Sequence, residues 1–117
     1  MQTLQENTRF NTIRTLQYIA SKEELIRYKA EVPFVHIGHE LLAQSDEIER
    51  LTDTPWFREM WTAGQLEALM CFLRSHQEIR IEFKEHMPDI PALLEHAGWL
   101  DFMIRTNDVL RRMDSAL

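Results

Sequence analysis

The chain has 117 residues, of which 44% are hydrophobic and 27% are charged, as in ordinary globular domains. Its formal net charge of −6 argues against nucleic acid or an anionic membrane as the main partner, because binding to either requires a basic face. No stretch approaches the roughly 18 consecutive apolar residues of a transmembrane helix, and the start of the chain lacks the apolar core of a signal peptide.

The sequence predicts one globular domain over residues 1–117, because no repeat, low-complexity run or linker divides it. Its one cysteine, Cys71, lies in an apolar segment without a motif that would stabilise a thiolate, so we interpret it as a packed side chain. The lone cysteine and the lack of an export signal favour the cytoplasm. No cofactor is expected, since no cofactor-binding motif is recognised.

The first third of the chain predicts a strand followed by a helix. Residues 1–9 give no pattern and are expected to be loosely ordered. Segment 12–19 is rich in strand formers, and its apolar residues recur at intervals that drift off one helical face, which favours a strand slightly over a short helix. Ser21 followed by Glu24 forms a capping box that predicts a helix over KEELIRYKAE, and Pro33 ends it.

The next segment, VPFVHI at 32–37, is short, apolar and bounded by Pro and Gly, which is typical of a buried strand. Together with the preceding strand and helix it predicts a right-handed βαβ unit. HELLAQSDEIERL then predicts an amphipathic helix with its acidic residues outward. Thr54 and Pro55 occupy the N-cap and first positions of a short helix, PWFREMW.

Residues 62–84 carry the densest apolar periodicity of the chain. Thr62 with Gln65 predicts a helix start. The inward stripe that follows is predicted to consist of Leu66, Leu69, Met70 and Leu73. At 79–84 apolar and charged residues alternate, which favours a strand after a helix that ends near His76. The alternative is a second amphipathic helix that uses Phe72, Ile79 and Phe83.

Two interpretations of 90–104 remain open. In one, IPALLEHAG is a helix closed by Gly98 and WLDFMIRTNDVLRRM is the final helix. In the other, IPALLE and WLDFMI are the strands of a hairpin. The predicted fold class is accordingly a helix-rich α/β domain with a small mixed sheet of three to five short strands, built from 12–19, 32–37, 79–84 and the 90–104 hairpin. The alternative is an all-α bundle of five or six helices.

The tetrad HIGH at His36–His39 resembles the HxGH signature of class I aminoacyl-tRNA synthetases and related nucleotidyltransferases. In those families the two histidines stabilise phosphate charge, so the resemblance implies nucleotide chemistry here. A second phosphate-binding loop is not recognised downstream. A small metal-dependent or nucleotide-binding enzyme with a site around His36, His39 and Glu40 is therefore kept as the alternative function. No residue is assigned as a metal ligand or catalytic group, because the five histidines lack the spacing of common helix-borne sites.

The short PWFREMW segment gives the favoured functional hypothesis. It concentrates residue types that are enriched in interface hot spots, and packing against the core is the alternative role for them. The predicted protein-binding residues are Trp56, Phe57, Arg58, Met60 and Trp61. With the net negative charge, they predict a non-enzymatic binding or regulatory module, of inhibitor, immunity or adaptor type, whose partner is a protein with a basic surface. A homodimer is compatible with this prediction.

Overall fold

The computed structural model describes residues 3–115, which form six α-helices and no strand. The helices are α1 (Leu4–Ala20), α2 (Lys22–Glu31), α3 (Ile37–Leu51), α4 (Pro55–Arg58), α5 (Ala63–Glu82) and α6 (Ala97–Ser115), and a 3-10 helix at Ala92–Glu95 precedes α6. The predicted α/β fold with a mixed sheet is therefore wrong, and the alternative all-α bundle is confirmed. None of the described helices is long and apolar enough to cross a membrane.

Three of the six helices, α2, α4 and α5, begin at side-chain caps that the sequence predicted. The Thr62 hydroxyl accepts a hydrogen bond from the Gln65 N–H at 3.1 Å, and the Gln65 side chain accepts one from the Thr62 N–H. The caps of α1, α2 and α4 are the hydroxyl groups of Thr3, Ser21 and Thr54. Because Thr3 starts a regular helix, the expected loose order is wrong for residues 3–9, while residues 1 and 2 lie outside the described part of the chain.

Segment 12–19, predicted as a strand, lies in the middle of α1. Leu16 and Ile19 enter the core, while the hydroxyl groups of Thr12 and Thr15 donate to carbonyl oxygens four residues earlier. These internal bonds satisfy the threonines within a helix, so their strand propensity did not decide the local structure.

Segment 32–37, predicted as a buried strand, is a turn followed by the first residue of α3. Phe34 is 88% exposed, and the Val35 N–H donates to the Val32 carbonyl at 3.0 Å. Pro33 prevents α2 from continuing, but no neighbouring strand exists for this segment to join in the described residues. The predicted βαβ unit is therefore also wrong.

Segment 79–84 continues α5 instead of forming a strand. Ile79 and Phe83 are buried four residues apart, whereas Ile81 between them is 76% exposed, which is a helical and not an alternating pattern. The alternative face through Phe72, Ile79 and Phe83 is confirmed. Met70, predicted to point inward, is 36% exposed because α5 turns a different side toward the core.

The predicted hairpin at 90–104 is wrong as well, since α6 runs through its second half. Trp99, Phe102, Met103 and Thr106 are buried at the spacing of one helical face. A final helix in this region is confirmed, but Gly98 is its second residue and does not close an earlier helix.

The core is centred on the antiparallel pair α5 and α6, against which α1 packs from one side. The rings of Phe72 and Phe102 stack with centroids 5.7 Å apart, and Trp99 meets Phe102 edge-on at 5.3 Å. α3 packs against α1 and α5 and closes the other side. This arrangement places one side of α3 next to the middle of α5, and Arg58 of the short α4 is hydrogen-bonded to Thr52 just after α3.

Leu69 is fully buried in α5. The substitution Leu69→Ala is expected to destabilise the protein by about 2 to 5 kcal/mol, because it leaves a buried cavity. The measurement is urea unfolding followed by circular dichroism. Met70→Ala at the neighbouring exposed position is the matched control and should cost well under half as much. Equal costs for the two variants would contradict the observed orientation of α5.

Candidate functional site

The aromatic residues of the predicted binding segment lie mainly in the core. Phe57 is fully buried and Trp61 is 7% exposed, and their rings lie 5.7 Å apart. Trp56 and Met60 are half-buried, and Arg58 is exposed. Of the five predicted residues, only these last three offer side-chain surface to a partner.

The start of α1 covers the inner side of this segment. The Arg9 guanidinium lies 4.9 Å from the centre of the Trp61 ring and donates to the Met60 carbonyl at 2.8 Å. The Gln5 side chain donates to the Trp56 carbonyl at 3.3 Å and to the Glu59 carboxylate at 3.0 Å. The Arg9 contacts explain why Trp61 is not available at the surface. No local sequence pattern predicted that α1 would cover this segment.

An acidic groove of about 440 Å³ lies between α3 and α5. We use this name for the groove lined by Asp46, Glu49, Arg50, Thr52, Asp53, Met70, Leu73, Arg74 and Gln77. Its three carboxylates come from one side of α3 and the residues that follow it. The Nε of Arg58 in α4 donates to the carbonyl oxygen of Thr52 at 2.6 Å, and this bond places α4 next to the Thr52 end of the acidic groove.

One end of the acidic groove is fixed by a polar network around a buried histidine. His76 is buried in α5, and its Nε2 lies 2.7 Å from Oδ1 of Asp46. Arg80 also donates to both carboxylate oxygens of Asp46. Burial raises the pKa of the Asp46 carboxyl, but the hydrogen bonds from Arg80 and His76 outweigh this effect and lower the pKa overall.

Asp46, Glu49 and His76 bring three potential metal-ligand atoms within 4.8 Å of one another. Two features oppose a metal ion there. Arg80 already occupies both oxygens of Asp46. In addition, a metal on Nε2 of His76 would force the proton onto Nδ1, which is buried without a hydrogen-bond partner among the described residues. The arrangement is therefore better suited to an ion-pair network.

The HIGH tetrad forms the start of α3, but its geometry differs from that of a phosphate site. The helix N-terminus is already occupied by Asp89, whose Oδ1 accepts from the Ile37 N–H at 3.0 Å and whose Oδ2 accepts from Lys29 at 2.6 Å. An incoming phosphate would have to displace this carboxylate. His36 serves as the N-cap, accepting from the His39 N–H at 3.0 Å.

A second groove, of about 500 Å³, separates α1 from α3. Its lining is more apolar than polar, and the hydroxyl groups of Thr8, Thr12 and Thr15 all donate to carbonyl oxygens four residues earlier. No pairing of a nucleophile with a base is found among its lining residues. The acidic groove, with its exposed carboxylates, is therefore the stronger candidate for a functional site.

Sequence reasoning missed the acidic groove because its walls come from separate helices. The only local signal was the spacing of His76 and Arg80, four residues apart on one helix face, which suits a shared partner. Comparisons of this chain with protein-family models, curated proteins and solved structures found no match.

Replacing Asp46 by Asn is expected to flatten the acid side of the stability profile. Because its pKa is lowered in the folded state, Asp46 contributes stability above its ordinary pKa of about 3.9, and this is lost as the pH falls through the folded-state value. Urea midpoints measured from neutral to acid pH should therefore fall less steeply in Asp46→Asn than in wild type. Some fall should remain, because the pKa of Asp89 is lowered in the same direction.

The matched control is Asp53→Asn, which removes an exposed carboxylate that forms no ion pair among residues 3–115. Its profile should keep the slope of the wild type. A wild-type slope in Asp46→Asn would show that the His76 and Arg80 contacts do not stabilise the folded carboxylate.

Proposed function

We propose that this chain is a small non-enzymatic protein-binding or regulatory module, of the inhibitor, immunity or adaptor type, that acts in the cytoplasm. The observation that carries the proposal is the state of the carboxylates in the acidic groove. Asp46 is engaged by Arg80, but Glu49 is bound only by the amide of Gln77, and Asp53 has no cationic partner in the described part of the chain. Arg50 and Arg74 also line the groove, but Arg50 pairs with Glu47 and Arg74 donates to the Cys71 sulfur, so among the described residues neither neutralises Glu49 or Asp53 by a direct contact. These two carboxylates can therefore meet a basic partner.

The floor of the acidic groove suits the long side chains of such a partner. Met70 exposes about a third of its surface between the carboxylates of α3 and the outer side of α5. Lysine and arginine carry apolar stems that pack on such a surface while their charged groups reach carboxylates at its edge. A partner arginine or lysine lying over Met70 would place its charge next to Glu49 or Asp53.

The exposed edge of α4 extends this surface. Trp56 and Met60 are half-buried, and Arg58 is exposed beside them. Large side chains that are fixed by packing on one side lose little freedom when a partner covers the other side. The edge can therefore supply apolar contacts next to the charged contacts of the acidic groove.

A basic protein is favoured over a second copy of this chain as the occupant. Another copy would bring a further net charge of −6, which opposes close approach of the two acidic surfaces. The same charge opposes nucleic acid and anionic membranes, which carry negative charge themselves.

Charge reversal in the acidic groove is expected to weaken association with the partner. After capture and identification of the bound protein, Glu49→Lys and Asp53→Lys should each reduce the association rate constant by about tenfold at low salt, because steering depends on local charge. The measurement is surface plasmon resonance with purified partner. The difference between wild type and variants should shrink as salt is added.

The matched control is Glu31→Lys, which changes the net charge equally at an exposed position at the end of α2. Its association rate should stay much closer to that of wild type. Equal losses of association rate in all three variants would show that the effect comes from net charge alone and that the acidic groove is not part of the interface.

The two tryptophans of the predicted binding segment should respond differently to replacement by Ala. Trp61→Ala is expected to cost about 3 to 5 kcal/mol of stability, because the ring is buried under Arg9. Trp56→Ala should cost less than Trp61→Ala and should increase the partner's dissociation rate, because this ring has exposed area to lose. Urea unfolding and surface plasmon resonance on the folded variants measure the two effects. Unchanged dissociation in folded Trp56→Ala would place the interface away from α4.

A further inference from the structure

His36 lies at the corner between α2 and α3 and uses both of its ring nitrogens in the fold. Its Nε2 lies 3.0 Å from the carbonyl oxygen of Met87, and its Nδ1 lies 3.0 Å from the backbone nitrogen of His39. A carbonyl group can only accept and a backbone N–H can only donate, so the proton must be on Nε2 and the lone pair on Nδ1. Both contacts are therefore made together only by the neutral ring.

From this geometry we propose that His36 is a proton-sensitive clasp, which caps the start of α3 while the ring is neutral and gives up the cap when the ring is protonated, whereas its Nε2–H can donate to Met87 in both states. A proton on Nδ1 would face the His39 N–H, so the cap of α3 would be lost. The added positive charge would also lie at the helix N-terminus, where the helix dipole opposes it.

Asp89 does not offer the protonated ring an equivalent place. Its Oδ1 lies 3.9 Å from Nδ1 of His36 and already accepts hydrogen bonds from the N–H groups of Ile37 and Ile90. Its Oδ2 is held by Lys29. A protonated ring would therefore lie within ion-pair range of Asp89, but this would still leave α3 without its cap.

Charged and titratable groups of both signs surround His36 at the corner between α2 and α3. His39 stacks on His36 with ring centroids 3.8 Å apart. Burial lowers the pKa of His39, and the charges of His36, Arg80 and His86 lower it further, whereas the charge of Asp89 raises it. Lys29 adds a positive charge from α2, and the negative charges facing the corner are those of Asp89 and Glu40.

On one side of this corner, α2 and the connecting turn bury few side chains. Leu25 is the only fully buried residue that α2 contributes, and Phe34 in the connecting turn is 88% exposed. Segments with little buried apolar surface open first in local unfolding. Loss of the cap should accordingly loosen α2 and the turn before it affects α5 and α6.

The test compares wild type with His36→Asn, since Asn can cap a helix but does not titrate. The urea midpoint of wild type should fall as the protein is acidified from neutral pH, and His36→Asn should lose more than half of that fall. His86→Asn is the matched control, because His86 is exposed on the same corner and makes no cap. It should retain most of the wild-type fall. An equal fall in wild type and His36→Asn would overturn the proposal.

A second measurement stands even if His36→Asn does not fold. In wild-type protein labelled with ¹⁵N at its histidine rings, NMR at neutral pH should show His36 with its proton on Nε2. The amide proton signal of His39 should then move as His36 is protonated, because its hydrogen bond is lost. A proton on Nδ1 at neutral pH, or a His39 amide signal that does not follow the titration, would contradict the clasp.

Discussion

The antiparallel packing of α5 on α6 is the constraint from which the rest of this fold follows. Aromatic rings meet at its centre, where Phe72 stacks on Phe102, while polar contacts such as that between Glu78 and Arg105 line its edge. When two helices pack together, each buries one face against the other, and the apolar surface on either side of this contact stays uncovered. α1 covers one side, and α3 covers the other, so their positions are set by the apolar surface that the central pair leaves open.

This packing puts polar groups in the interior, and several of them are hydrogen-bonded to a neighbouring helix or to their own, whereas Trp61 Nε1, Trp99 Nε1 and His76 Nδ1 are buried without a partner among the described residues. Gln65 reaches the Met113 carbonyl of α6, and Thr106 donates to the Phe102 carbonyl one turn earlier. The hydrogen bond of His76 also affects the surface of the molecule. The buried His76 of α5 donates from Nε2 to Asp46 of α3, and this bond holds the Asp46 carboxylate at the mouth of the acidic groove.

Local signals in the sequence predicted helix starts well, because a cap depends on only a few neighbouring residues, as at Thr62 and Gln65. They failed at 79–84, where six alternating residues fit a strand and the choice between Ile81 and Phe83 as the buried residue is made by distant contacts. The candidate site was less predictable still. Trp61 was predicted to be a protein-binding residue, but Arg9, which is far away in the sequence, covers its ring.

The two functional proposals meet in α3. Its first turn is held by the His36 clasp, and its second half carries Asp46 and Glu49 toward the acidic groove. Arg80 links the two regions, because it binds Asp46 directly while its charge acts on the pKa of His39. Loss of the cap would loosen the first turn of α3, because a cap satisfies only the unpaired N–H groups of that turn. Asp46 is held separately by His76 and Arg80 of α5, so the second half of α3 keeps its place against α5 through contacts that do not involve the cap.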